Sequence, residues 1–170
     1  VSKSYRIVVL LTVLLVCGAS DQATKWLAQT YLQEGVVHTF LGDTARLQLA
    51  HNYGAFLSLG ASLPEVWRQG IWTFGVGCVL LVLLAYALFG KDVSRGMLWA
   101  FALILAGGAS NLYDRIAYGG YVIDFMNVGI GRLRTGVFNI ADMAIMAGAF
   151  TALIGSFLEP RDAKPPSNKD

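Results

Sequence analysis

Four long runs of apolar residues constrain this chain more than any other feature. They cover residues 7–19, 71–89, 97–112 and 137–158, and together they contain a single charge, Asp142. A spanning helix needs about 20 residues, within a range near 17–25. The helical pattern of the first run continues to residue 27, and the third must borrow from its polar flanks. A bilayer core offers backbone groups no partner, so runs of this kind must be helical. Of the 170 residues, 55% are apolar and only 14% charged, against about 25% charged in a soluble domain. So few charges cannot cover a water-facing surface. The expected fold is an all-α membrane protein with four transmembrane helices, a small extracytoplasmic β-sheet and a short interfacial helix. One domain spans residues 1–160, with residues 28–68 as an extracytoplasmic β and loop insertion. Residues 161–170, with Pro165 and Pro166 among polar neighbours, read as a disordered tail.

The first run has features of a cleaved signal peptide: Lys3 and Arg6, an apolar stretch, then Cys17-Gly18-Ala19. Three further spans follow, however, and Asp21 and Lys25 extend its helical pattern, so it is read as a retained helix. An inward N-terminus puts Lys3, Arg6, Lys91, Arg95, Arg161, Lys164 and Lys169 in short cytoplasmic pieces. Lys25, Arg46, Arg68, Arg115, Arg132 and Arg134 are spread over much longer outer loops. That density favours cytoplasmic termini. Trp67, Trp72, Phe89, Trp99 and Tyr113 fall near span ends, as an aromatic belt would.

Within the long outer loop, residues 36–41 and 45–50 read as short strands joined by a turn at Leu41-Gly42-Asp43-Thr44. Pro64 is placed to open the interfacial helix. Cys17 and Cys78 lie in apolar runs and read as small buried hydrophobes. His38 and His51 lack ligand spacing, so no metal and no cofactor is expected. A net charge of +2 makes no case for nucleic acid, and the chain is expected to act as a monomer.

Five polar clusters map to the outer ends of the spans: Asp21-Gln22-Ala23-Thr24-Lys25, Asn52-Tyr53-Gly54-Ala55-Phe56, Asn111-Leu112-Tyr113-Asp114-Arg115, Val122-Ile123-Asp124-Phe125 and Phe138-Asn139-Ile140-Ala141-Asp142. Ionisable groups at membrane depth are costly and mark candidate function. Two carboxylates held close share a proton, because both cannot ionise cheaply. One then accepts a proton from water and the other donates to a carbonyl, which suffices for amide hydrolysis. Asp21 and Lys25, at i and i+4, read as an ion pair. Asp114 reads as a helix-terminal residue beside Arg115. Asp124 and Asp142 have the least local compensation and are the candidate dyad, with Asp142 about 8 Å in from Val137. The competing reading makes each merely a helix cap or a neighbour's hydrogen-bond partner. Asn52, Asn111 and Asn139 read either as backbone caps or as groups that hold an extended peptide. Gly54 permits close backbone approach. The small-residue stretch Gly107-Gly108-Ala109-Ser110 reads as a helix-packing surface.

Taken in order, the five clusters resemble the lipoprotein signal peptidase family, also called signal peptidase II. Its pattern runs Asp-x-x-Ser/Thr-Lys, Asn-x-Gly-Ala, a Gly-rich stretch into Asn-x-x-Asp-Arg, Val-x-Asp-Phe and Phe-Asn-x-Ala-Asp. The resemblance implies a bacterial inner-membrane aspartic endopeptidase that cuts a diacylglyceryl-modified prolipoprotein just before its lipidated cysteine and is blocked by globomycin. It implies Asp124 and Asp142 as the catalytic pair. Asn52, Gly54, Asn111, Arg115 and Asn139 would line the site, with Asp21, Lys25 and Asp114 in support. Two departures stand out: Ser110 where the family has Gly, and a run from Asn52 to Phe56 one Ala short. They bear on helix packing, substrate preference and inhibitor response. Two other classes remain: a non-catalytic membrane module that binds lipopeptides, and a small proton-coupled transporter using Asp142.

Overall fold

The computed structural model describes residues 1–54 and 62–158. The expected tail 161–170 and the cluster residues Ala55 and Phe56 lie outside them. Four helical rods are long and apolar enough to cross a membrane. The first, α1 (Lys3–Tyr31), starts at Ser2, whose side chain accepts the Tyr5 N–H. It runs well past the apolar segment, because its polar residues from Asp21 to Lys25 find partners on another helix. The second rod joins α2 (Glu65–Arg68), a π-helical turn (Gln69–Gly75) and α3 (Val76–Phe89). Pro64 does open the expected short helix. It continues into the span, since the backbone stays αR at Arg68, Gln69 and Gly75.

The third rod, α4 (Arg95–Ala117), is capped by Ser94 and extends beyond residue 112. It ends at Gly119, φ +72°, where the Gly120 N–H reaches back to the Arg115 carbonyl at 2.7 Å. Only glycine adopts that left-handed cap without strain. The fourth rod, α5 (Ile140–Leu158), starts later than the apolar run. Residues 137–139 are held by the sheet instead: Phe138 exchanges hydrogen bonds with Met126. Asp142 therefore sits in the first helical turn rather than 8 Å down a helix.

A four-stranded antiparallel sheet sits over one end of the bundle, in the order β1 (His38–Phe40), β2 (Ala45–Asn52), β3 (Val122–Ile130) and β4 (Leu133–Arg134). The first hairpin is where the sequence put it, with β1 shorter than expected. Strands β3 and β4 were not anticipated. The pairing of β2 with β3 bridges the second and third rods in sequence, and sets Ala50 opposite Asp124 and Asn52 opposite Val122.

At the opposite end, Val9, Leu10, Val13, Ala87, Val93, Leu98, Ala102, Leu105 and Ala106 form the apolar core. The buried Arg6 donates to the Ala87 carbonyl at 2.8 Å, satisfying a backbone acceptor near the end of α3. Large side chains such as Leu15, Val82, Phe150 and Phe157 face outward. An apolar girdle of that extent suits lipid rather than water.

Glycine sets how closely α4 and α5 approach. A Cβ at Gly107 would collide with the Ala141 carbonyl oxygen and lie 2.8 Å from Ile145 Cγ1, and one at Gly108 would lie 2.6 Å from Leu80 Cδ2. The stretch read as a packing surface thus serves α5 on one side and α3 on the other. Gly107→Val should lower the detergent-solubilised protein's stability by about 1–3 kcal/mol through overpacking. Gly18→Ala, where no atom lies within 4 Å, is the control. Thermal denaturation of the two variants checks this, and equal midpoints would count against tight packing at Gly107.

Candidate active site

All ten residues singled out by sequence converge where the sheet meets the bundle. Asp21 and Lys25 come from α1, Asn52 and Gly54 from the end of β2 and just beyond, Asn111, Asp114 and Arg115 from α4, Asp124 from β3, and Asn139 and Asp142 from the start of α5.

Asn139 is the pivot. It caps α5: its side-chain oxygen accepts the Asp142 N–H at 2.8 Å, and its own N–H donates to Asp142 Oδ2 at 3.2 Å. This reciprocal exchange is a capping box, with Asp in the place of the usual Glu or Gln. The Asn139 amide nitrogen then donates to Asp124 Oδ1 at 2.7 Å. One residue therefore grips both carboxylates. Asp124 also accepts from Asn52 Nδ2 at 3.0 Å, and Asp142 from Asn111 Nδ2 at 2.9 Å. The Asn52 oxygen is occupied by the Gly54 N–H at 3.0 Å, so its NH₂ must face Asp124. Asp124 is buried, at 2% exposure, while Asp142 is only partly buried. Burial, then the nearby charge of Asp142, pushes the Asp124 carboxyl up to about 7, against the opposing pull of Asn52, Lys25 and Asn139.

Beneath the pair lies a buried ionic network. Lys25 Nζ is 2.6 Å from Asp21 Oδ2, 2.8 Å from Asp114 Oδ2 and 2.8 Å from Asn111 Oδ1. The expected Asp21–Lys25 pair is present. Asp114, however, pairs with Lys25 and not with its neighbour Arg115, because adjacent residues on a helix point apart. Asp21 Oδ1 accepts the Ala141 N–H at 2.8 Å, filling an open donor in the first turn of α5. Asp114 Oδ2 accepts the Ile123 N–H at 3.2 Å and so fixes the start of β3. Arg115 donates to the Gly54 carbonyl at 2.8 Å and to the Asn111 carbonyl at 3.2 Å. Its Nε has no partner among the described residues.

Two members of the network were not given these roles from sequence. Gln22 donates to Ser110 Oγ at 2.9 Å and to Asp114 Oδ1 at 2.8 Å. Ser110 donates to Asp21 Oδ2 at 2.7 Å, so its hydroxyl joins the polar network rather than only narrowing the packing. The position of Gln22 beside Asp21, just past the apolar run of the helix, was the available signal.

An apolar groove of about 950 Å³ runs between α1, α3 and α4 and ends at Gln69 and Arg115. The site thus offers paired carboxylates, one of them partly open to solvent, amide donors fixed around them, and an apolar channel ending at its arginine.

The model of the signal peptidase (SPase) II family matches residues 12–158. A lipoprotein signal peptidase of Francisella tularensis subsp. novicida is 36% identical over 139 residues, covering 81% of this chain and 84% of its own. One from Nitratidesulfovibrio vulgaris is 34% identical over 161 residues and covers 94% of each chain. A solved bacterial membrane enzyme superposes with a TM-score of 0.76 at 22% identity, covering 98% of this chain and 95% of that one; this likeness is one of fold.

Proposed function

The chain belongs to the signal peptidase II family, and is therefore a bacterial membrane peptidase that acts on prolipoproteins; from that premise we propose that it is an aspartic endopeptidase using Asp124 and Asp142. Its substrate is a diacylglyceryl-modified prolipoprotein, cut just before the lipidated cysteine. The enzyme lies in the cytoplasmic membrane with both termini inside and the site at the extracytoplasmic face. The observation that carries this reading is the joint grip of Asn139 on the two carboxylates.

The pair holds one proton between them. The ionised carboxylate takes a proton from water as the water oxygen bonds to the scissile carbonyl carbon. The protonated carboxyl gives its proton to the carbonyl oxygen, forming a neutral diol. In collapse, the first carboxyl returns its proton to the departing nitrogen, the C–N bond breaks, and a diol hydroxyl proton goes back to the second. Acid and amine products result, and the pair regains its starting state. The groove ending at Arg115 supports a lipid-bearing substrate, with its apolar walls in the bilayer and, at its polar end, a guanidinium whose Nε has no partner among the described residues. Asn52, Gly54 and Asn111 line the substrate path, and Asp21, Lys25 and Asp114 brace it.

The purified protein should cut a diacylglyceryl-modified precursor, spare its unlipidated form, and be blocked by globomycin. Equal cutting of both forms would overturn the lipid requirement. The pH dependence has a defined sign. Asp124 is raised to about 7, so it keeps its proton below neutrality and loses it above. The rate should therefore fall about tenfold per pH unit on the alkaline side, through loss of the acid. A rate flat from pH 6 to about 9 would remove Asp124 from that role.

A further inference from the structure

The two carboxylates are held by unequal surroundings, and Lys25 lies behind the inequality. An ammonium group only donates, and Lys25 spends its three donors on Asp21, Asp114 and Asn111 Oδ1. The Asn111 oxygen must then face Lys25, which also leaves it open to the Asn139 amide at 3.1 Å. The Asn111 NH₂ is turned toward Asp142 and cannot flip without breaking the Lys25 contact. Asp142 also receives the Asn139 backbone N–H, a donor that cannot reverse. It lies in the first turn of α5, where the helix dipole favours an anion. Asp124 sits deeper, and its Asn139 donor is divided among three acceptors: Asp124 Oδ1, Asn111 Oδ1 and the Ile123 carbonyl.

We propose that Lys25 is a positioning residue that makes the dyad asymmetric: through Asn111 it reserves Asp142 as the anionic base toward water and leaves the shared proton on Asp124. This rests on the peptidase reading above. The charged groups around Asp142 are Lys25 and Asp21 from α1, Arg115 and Asp114 from α4, and Asp124 from β3. Arg115 attracts both carboxylates, Asp142 ahead of Asp124, so it leans the same way and is kept in all three variants. Asp21 and Asp114 are both engaged by Lys25, and the Asn111 link is the directional contact that Lys25 itself makes.

The test compares three variants. Asp114→Asn keeps the cation. Lys25→Gln with Asp114→Asn removes the cation and one acid together, so the buried cluster keeps its net charge. Asn111→Ser keeps the ion triad, and with it the fold, but is too short to reach Asp142. The acid limb of the pH–kcat/KM profile on lipidated precursor is expected to stay in place or move down in Asp114→Asn. It should move up by about 1 pH unit or more in the other two, as loss of a neighbouring cation or its relay dictates. The infrared band of the protonated carboxyl in the resting enzyme should titrate with the same shifts. If activity falls in the double variant and in Asn111→Ser while both acid limbs stay put, Lys25 only braces the fold and the proposal fails. Should the double variant not fold, the charge-balanced apolar pair Lys25→Met with Asp114→Leu takes its place, because Asn111→Ser deletes the donor to Asp142 itself. The infrared titration needs no turnover, so a shift there without precursor cleavage would sink the peptidase reading and leave the Lys25 assignment standing.

Discussion

Asp142→Asn and Asp124→Asn are each expected to reduce precursor cleavage by about 10³-fold or more, while binding of uncut lipidated precursor survives. General acid–base groups contribute about 10²–10⁴-fold, and here each carboxyl is needed in both halves of the reaction. An amide at 142 cannot take a proton from water, and an amide at 124 has no acidic proton to give. The replacements keep shape and most hydrogen-bonding capacity, so the fold should persist. In Asp142→Asn the new side chain can turn its amide oxygen toward Asn111, although one of its contacts then sets donor against donor at the Asn139 N–H. Single-turnover cleavage of the precursor and equilibrium capture of it by each variant check the two halves. A pure lipopeptide-binding module would keep its full activity in both variants, and a transporter using one proton site would respond at Asp142 and not at Asp124. Cleavage surviving in either variant would remove the dyad.

The second large effect is expected at Asn139, because its side chain serves the helix and the acids at once. Asn139→Leu removes the cap of α5, which alone costs about 0.5–2 kcal/mol. It also strips Asp124 of a donor at 2.7 Å, adding about 1–3 kcal/mol for a buried group left short of a partner. Stability should fall by roughly 2 kcal/mol or more, and activity by at least about 10²-fold. Asn139→Ser separates the two roles. A serine hydroxyl caps as well as an asparagine but does not reach Asp124. The serine variant should therefore recover the cap's share of the stability, melt between Asn139→Leu and the wild type, and remain as inactive as Asn139→Leu. If serine restored activity along with stability, the grip on Asp124 would be incidental.

The spans were legible because lipid leaves the backbone one solution, and the apolar runs of residues 71–89 and 137–158 state it directly. Their ends were less legible. Residues 137–139 are apolar enough to be helical, yet Phe138 pairs with Met126, a partner no local pattern reveals. Strand β3 was missed for the same reason: it is buried along most of its length, so it lacks the alternation of a half-exposed strand, and β2 is remote in sequence. At the site, the Asp21–Lys25 spacing was readable because i and i+4 meet on any helix. The Asp114–Lys25 contact was not, since it depends on α1 lying against α4. For Asp142, the two competing readings, helix cap and dyad member, proved compatible in geometry. Its side chain closes the capping box and still presents an oxygen to Asn111.

The pairing of Lys25 with Asp21 inside a single helix bears on how such a chain is made. A first segment that carried either charge alone would resist transfer from the translocon into hydrocarbon. With the counterion one turn away, the later half of the leading helix can partition without net charge before α4 has been synthesised, while Lys3 and Arg6 stay at its start. Asp114 then arrives later as a third party, trading part of a bond already formed. The order of synthesis thus never requires an unaccompanied ion to wait in oil.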